Sequence, residues 1–586
     1  MHKRLFPLIL ALALCGLMLF EQGPTKSIML EGLTPTEIQI MELVNGTNIY
    51  NLDLELEQIA YNHTLSNYSF RAAGSSGANA TADWLLQQFN LLGLEAHKEP
   101  FQFTTWDVAS KPTLIVDDDG NLTTTADQVE LVRFQCEHCS WPTSSDGAFA
   151  DLVVLPLPAV AGYSEIGARP INTTAWNSIN TTAKILLIGR EIRWANSWQT
   201  TYRNKLAAQP PAAVVYTWWY DWDAFQPDFF SSTGGRPLAG PLGPYYWNLH
   251  IPVGFTDYNT GLWIRTRESS LNVSARVKVE ATIGYGAHYN VVARLNGTRN
   301  PEKLVIVSSH YDTIMSSGFC DNGAGTAGVL ELARIFAEAN RSELFRPKYT
   351  ILFIAFAGEE LSLVGSTNYI MQHKAEMGSI VAVINLDCIG SDDLYVSETD
   401  PGPDFDLDQL ILEAAQDLGI PVQTEDPGGS DQEAFRDPAT TNAQYWSFWN
   451  LNAGISDAAR VQSSALIISY PLVPTEEFST GDPGWIHTSY DNSTSTSTLD
   501  WVETDDLANH VKVAALSITR VTASLIGDIN DDDIVDMKDI SYVARRFGIN
   551  ASSPLWDPKA DVVGDGKIDM KDIGTAAKHF GETTNR

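Results

Sequence analysis

Between Tyr289 and Thr522, apolar and polar positions fall into blocks that predict strand and helix in turn. Short β-branched runs, KLVIV, YTILFIAF and SIVAVINL, read as strands covered on both faces. Stretches with apolar residues three and four apart read as amphipathic helices. The predicted strands lie at 290–295, 303–310, 348–356, 379–387 and 465–469, and the helices at 325–340, 366–373, 405–418 and 504–522. This order predicts an α/β fold with a mixed, largely parallel sheet flanked by helices.

Upstream, Pro35–Val44 reads as a helix. Ala82, Leu85, Leu86, Phe89 and Leu92 line one face of a second helix, which Gly93 ends, and a strand follows at Phe101–Trp106. From about residue 140 the pattern shortens. Leu152–Leu155, Lys184–Ile188, Ala212–Tyr216, Ile251–Phe255 and Ser274–Ala281 read as strands between Pro/Gly joints, predicting a β-rich inserted module. Its run WWYDWDAFQPDFF suits a local core under a long loop, or a wall over a site. Past Gly527, two near copies follow, GDINDDDIVDMKDISYVARRFG and DVVGDGKIDMKDIGTAAKHFG, each an acidic loop leading into a helix. The expected division is 1–27, 28–139, 140–282, 283–524 and 526–583, the last a small all-α unit.

A chain of 586 residues exceeds one compact core, which agrees with this division. A formal net charge of −34 argues against nucleic acid and anionic membrane surfaces as partners. MHKRLFPLILALALCGLMLF has the basic start and short apolar run of a secretory signal. A secreted or cell-surface protein is expected, with membrane contact only if that segment is retained as an anchor. Scattered Asn-x-Ser/Thr sequons, among them Asn45, Asn62, Asn67, Asn121, Asn172 and Asn272, agree with export.

The chemistry gathers at predicted strand ends. KLVIVSSHYD delivers His310 and Asp312, and a Gly-containing loop then presents Asp321 ahead of a helix. YTILFIAFAGEE ends in Glu359 and Glu360, SIVAVINLD in Asp387, and GWIHTSYD supplies His487. Open α/β sheets place their sites at such ends. Three carboxylates and two imidazoles hold two divalent cations if one carboxylate bridges, with ions roughly 3.5–4 Å apart. The remaining glutamate is then available to act on water. A structural His–Asp pair, or a solvated pair of glutamates, is the plainer reading of each motif taken alone.

Taken in order, HYD, DNGAG, GEE, NLD and HTSYD resemble the co-catalytic di-zinc aminopeptidase family. That family also contains glutamate carboxypeptidase and the metal-free transferrin receptor. The resemblance implies the zinc exopeptidase fold over roughly residues 33–523 and peptide substrates. It implies that His310 and Asp387 hold one zinc, Glu360 and His487 the other, and Asp321 bridges. Asp312 would orient His310 and raise its basicity. Glu359 would be the general base, and Asp491 a supporting acid. GGSDQEAF resembles the family's substrate-side segment, suggesting Ser430 and Asp431 as substrate-facing. Gln432 stands where the family often has His. KILLIGRE, PPAAVVYT and HIPVGFTDYNTGLWIR resemble a protease-associated domain.

The cysteines leave alternatives open. Cys320 and Cys388 flank two ligands that must converge, so a disulfide is possible in an exported protein, and two buried thiols are the simpler state. Cys136-Glu137-His138-Cys139 suits a local disulfide better than half of a zinc knuckle, since no second pair exists.

In the C-terminal copies, Asp528, Asn530, Asp532 and Asp539 occupy positions one, three, five and twelve of a calcium loop, and Asp561, Asp565 and Asp572 repeat the pattern. The pair resembles a dockerin, which implies Ca2+ binding and a cohesin-bearing partner. Asp533 replaces the usual Gly of the first loop, and Val563 removes a side-chain ligand from the second. The combined expectation is a secreted metallo-exopeptidase, most simply an aminopeptidase. Its rivals are a carboxypeptidase or dipeptidase on the same site, a non-catalytic receptor or scaffold, and a one-zinc glutaminyl cyclase.

Overall fold

A computed structural model describes residues 32–63, 70–110, 112–117, 134–136, 140–154, 173–189, 204–217, 250–256, 258–268, 273–314, 316–391, 394–397, 406–424, 429–439, 460–469, 491–493, 502–523, 527–530, 532, 534–563 and 565–581. The secretory-type segment, the aromatic run at 218–230, Cys139, Asp533 and His487 lie outside the described residues.

The larger sheet has eight strands: β1 (Glu95–Val108), β2 (Ala281–Leu295), β3 (Asn300–His310), β4 (Tyr349–Phe356), β5 (Ile380–Asp387), β6 (Leu394–Val396), β7 (Val422–Thr424) and β8 (Ser464–Ser469). Their spatial order is β1-β2-β4-β3-β5-β8-β6-β7. Strands β4, β3, β5 and β8 run parallel. The pairs β1–β2, β2–β4 and β6–β8 are antiparallel. The sheet is thus mixed, with a parallel centre, and helices flank it. Val305, Ile306, Phe353, Ile354, Val383 and Ile467 are fully buried, because helices cover both faces of the parallel strands. Each such side chain contributes about 1.5–3 kcal/mol of burial.

The crossovers place the site. From β3 the chain runs through α4 (Gly325–Arg341) to β4 on one side of β3. It then runs through α5 (Val364–Gln372) to β5 on the other side. Chain direction therefore reverses at β3, the kind of switch point where such sheets place a site beyond the carboxyl ends of their strands, here β3, β4 and β5. His310 and Asp387 are the last residues of β3 and β5, and Glu359 and Glu360 follow β4. A clasp ties α5 to the edge of the sheet: Glu99 on β1 meets His97 Nε2 at 3.1 Å and His373 Nε2 at 3.1 Å.

Three further helices precede β1: α1 (Pro35–Glu42), α2 (Gly46–Asn62) and α3 (Ser76–Leu91). The face predicted for α3 is the buried one, with Ala82, Leu85 and Phe89 at 0% exposure. Helix α2 was not expected. Strands β1 and β2 are longer than their apolar cores suggest, pairing from Glu95↔Arg294 to Val108↔Ala281. The expected strand Ser274–Ala281 divides. Ser274–Lys278 joins a second sheet, and Ala281 begins β2.

That second sheet has seven strands, including Ala148–Val154, Ile185–Gly189, Ala213–Thr217 and Val253–Thr256 near their predicted positions. The C-terminal copies each form a helix, Met537–Ala544 and Met570–Lys578, around a small core of Ile529, Val543, Ala560, Ile568 and Ala576. No helix among the described residues is long and apolar enough to cross a membrane.

Candidate metal centre

His310 is 1% exposed. Its Nδ1 lies 3.1 Å from the backbone carbonyl of Asp312. Its Nε2 lies 3.3 Å from Asp321 Oδ1, 3.4 Å from Asp387 Oδ1 and 3.9 Å from Glu359 Oε2. With its Nδ1 proton given to that carbonyl, the imidazole can offer the Nε2 lone pair to a cation among those three carboxylates, and without a cation their charge favours a proton there instead. A divalent cation at that point would satisfy the nitrogen and the carboxylates together. Two overlapping groups result, His310–Asp321–Asp387 and His310–Glu359–Glu360, each with ligand atoms within 4.8 Å of one another.

The electrostatics agree. Asp312, Asp321, Glu360, Asp387 and Asp431 are all buried, none more than 7% exposed. Asp387 Oδ1 is buried with no hydrogen-bond donor among the described residues. Without a cation, burial and then the neighbouring Glu360, Asp387 and Asp431 push the Glu359 carboxyl well above its usual range, against the pull of His310. Burial works to lower the His310 pKa, but Asp387 and Glu359 outweigh it and hold the imidazole well above its ordinary value. So much buried negative charge is stable when divalent cations compensate it. The residues present fit such ions, and nitrogen with carboxylate donors suits zinc.

The loops around these candidate ligands are fixed by backbone contacts. The Asp312 carboxylate, expected to orient His310, stands 3.6 Å from Nδ1, farther than its own carbonyl. Its Oδ1 accepts instead from the backbone N–H of Glu359 at 3.2 Å, linking the β3 and β4 ends. Asn322 joins two ligand loops: Oδ1 accepts from Gly325 N at 2.9 Å and Cys388 N at 3.3 Å, while Nδ2 donates to Leu386 O at 3.0 Å. Gly325 is required there, because a Cβ would lie 2.1 Å from Asn322 Oδ1. Asp491 Oδ1 accepts from Cys320 N at 2.6 Å and Oδ2 from Asp321 N at 3.3 Å, the supporting place expected for it. Cys320 and Cys388 are buried free thiols that hydrogen-bond each other, not a disulfide.

Ser430 and Asp431, expected to face substrate, are 1% and 0% exposed. Ser430 Oγ accepts from Asn385 Nδ2 at 2.9 Å, and so points into the sheet rather than toward a ligand. Burial pushes the Asp431 carboxyl up to about 7. Asn322 and Asn385 fall inside the DNGAG and NLD motifs, but their roles are not legible there, because an amide that bridges loops has no spacing signature. Their places next to Asp321 and two residues before Asp387 are the available signal.

In the first C-terminal loop, carboxylate oxygens of Asp528, Asp532 and Asp539 lie within 4.8 Å of one another. Asn530 Oδ1 accepts from Asp532 N at 2.8 Å. In the second, Asp561 Oδ2 accepts from Gly566 N at 2.8 Å, and Asp572 Oδ1 from Val563 N at 3.0 Å. Asp565 Oδ2 pairs with Lys571 at 3.0 Å. Among the described residues, only the first loop brings three carboxylates together.

Residues 290–512 match the family model of peptidase family M28. A probable zinc metalloprotease of Pyrenophora teres f. teres is 38% identical over 120 residues, covering 19% of this chain and 24% of that protein. An aminopeptidase of Pseudomonas aeruginosa is 25% identical over 380 residues, covering 64% of this chain and 63% of that one. The chain thus spans between a quarter and somewhat under two thirds of these relatives. The zinc aminopeptidase from Bacillus subtilis has a similar fold, with a TM-score of 0.54 at 20% identity over 82% of this chain and 96% of that one.

Proposed function

We propose that this chain is a secreted two-zinc exopeptidase, most simply an aminopeptidase that removes N-terminal residues from peptides. The observation that carries the reading is the convergence of Asp321, Asp387 and Glu359 on His310 Nε2 at 3.3, 3.4 and 3.9 Å. Peptidase family M28 and the zinc-dependent relatives named above support the reaction class and the metal. By the family resemblance His310 and Asp387 would hold one zinc and Glu360 and His487 the other, with Asp321 shared between the two. Bound there, the metals supply Lewis-acid polarisation of the scissile carbonyl and acidify the attacking water.

The chain's own residues do the rest. Glu359 takes a proton from the attacking water and delivers it to the leaving amine as the C–N bond breaks. Asp312 holds the Glu359 backbone, and Asp491 and Asn322 hold the loop that carries Asp321. Free amino-acid amides are expected to be hydrolysed and N-blocked dipeptides left intact, and the amide hydrolysis is expected to be abolished by a zinc chelator. Preferential cleavage of the blocked dipeptides would replace aminopeptidase with carboxypeptidase. Chelation without effect would remove the metal reading altogether.

Residues 140–282 serve in this reading as a protease-associated insert. Residues 526–583 serve as a calcium-binding dockerin that joins the enzyme to a cohesin-bearing partner. Support comes from the duplicated loops and from Asp528, Asp532 and Asp539 meeting in the first. Asp532 is exposed, does not cap the following helix and gives up a surface pair with Lys538 at 2.7 Å, so Asp532→Ala is expected to keep the fold. That variant is expected to weaken calcium binding by about tenfold or more through loss of one charged ligand. Isothermal titration with calcium measures it, and unaltered affinity would exclude the first loop as the site.

A further inference from the structure

We propose that Arg71 is a positioning residue for this metal centre, a buried splint on the loop that joins His310 to Asp321. The proposal rests on the metallopeptidase reading of that site. Arg71 is 0% exposed. Its Nε donates to Tyr311 O at 3.0 Å, Nη1 to Ser317 O at 2.7 Å and Nη2 to Gly318 O at 3.0 Å. The first carbonyl sits between His310 and Asp312, and the other two lie just ahead of Asp321. A single planar guanidinium therefore spans the loop from one ligand to the next. The Arg71 backbone N–H adds a bond to Thr313 Oγ1 at 3.3 Å, and Thr313 in turn donates to Ser316 O at 3.1 Å.

The rest of the loop is held from the same side. The Asp491 carboxylate takes the N–H groups of Cys320 and Asp321. Glu57 on α2 accepts from Ser317 Oγ at 3.2 Å and from Ser493 N at 2.9 Å. At Gly323 a Cβ would lie 2.1 Å from Asp53 Oδ1, so α2 packs directly on the backbone behind Asp321. Asp53, Glu57 and Asp491, at 0, 5 and 1% exposure, are the acids that surround the buried guanidinium.

The physical need is plain. His310 and Asp321 meet at 3.3 Å across a stretch of irregular backbone. Each residue of such a stretch costs on the order of 1–2 kcal/mol of conformational entropy to fix. Bonds to the backbone carbonyls offset that cost in the folded state, before any ion arrives. Lysine cannot substitute, because one ammonium does not reproduce a planar fork with separated donors. Partners that orient a metal ligand are worth roughly 10–100-fold in metal affinity.

The test is Arg71→Lys in the full chain, checked for folding by circular dichroism and gel filtration. Zinc affinity is read by competition with a chromophoric chelator, and site geometry by the visible spectrum of the cobalt-substituted protein. The expected result is about 10–100-fold weaker zinc binding, a shifted cobalt band, and a fall in kcat larger than any change in KM. A folded Arg71→Lys protein with parental zinc affinity and cobalt spectrum would overturn the proposal, whatever its melting temperature. If that variant does not fold, Thr313→Val, which deletes only the hydroxyl between Arg71 N and Ser316 O, takes its place. Weaker zinc binding then supports the splint, and parental binding refutes it. These readouts are separate from turnover. A parent protein that binds zinc but cleaves no peptide would sink the proposed reaction and leave the role of Arg71 standing.

Discussion

Glu359→Gln is expected to bind zinc as the parent does and to turn over amino-acid amides roughly 10²–10⁴-fold more slowly, the span associated with losing a general base. The geometry separates this glutamate from the two aspartates around His310. Glu359 Oε2 stands 3.9 Å from His310 Nε2, the most distant of the three carboxylates around that nitrogen. Its side chain keeps 15% of its surface, while Asp321 and Asp387 keep 5% and 10%. A ligand is best enclosed, whereas a base must reach the water and the leaving group. Glutamine keeps the size and the backbone bond to Asp312 but has no basic oxygen. Metal content by atomic absorption, set beside kcat/KM, checks both halves of the statement. Parental turnover would remove Glu359 as the base, and loss of zinc would make it a ligand instead.

The features legible in the sequence share one cause. Parallel strands covered on both faces must be apolar throughout, so β3, β4 and β5 stand out as runs that end abruptly in His310, Glu359–Glu360 and Asp387. Chemistry at strand ends is therefore written in the chain. Helix α2 escaped because its buried face alternates Ile49, Leu56 and Ala60 with Asp53 and Glu57. Acids at core positions erase the helical period. They are there because this face packs on the ligand loop and on Arg71, so the element that broke the pattern is one that supports the site. The β1–β2 pair was truncated for a different reason: its ends carry residues such as His97, Thr282 and Tyr285, which leave one face open to solvent. Backbone acceptors are invisible in any sequence. Nothing in HYD says that the carbonyl of Asp312, and not its carboxylate, takes the His310 proton.

Stripping zinc from the folded protein is expected to lower its thermal midpoint by on the order of 10 °C, with a loss that deepens as pH rises. Zinc held at a thousandfold above its dissociation constant stabilises the folded state by about 4.1 kcal/mol. A domain of this size loses roughly 2–4 °C per kcal/mol. The pH dependence follows from the acids left behind. Without cations, burial pushes the Asp431 carboxyl up to about 7 and the Glu359 carboxyl well above its usual range. An acid whose folded pKa is raised stabilises fully below its unfolded value, near 3.8 for aspartate. That stability is lost as pH climbs through the folded value. The stripped protein should therefore melt highest in mild acid and progressively lower toward and past pH 7. The loaded protein should lack this slope, because the ions, not protons, neutralise the carboxylates. Scanning calorimetry across that range, with a zinc-selective chelator and calcium kept in excess so that the C-terminal loops stay filled, separates the two. A melting point indifferent to chelation would mean that the buried acids never held a cation. A stripped protein more stable at pH 8 than at pH 5 would mean that they are not the groups that titrate.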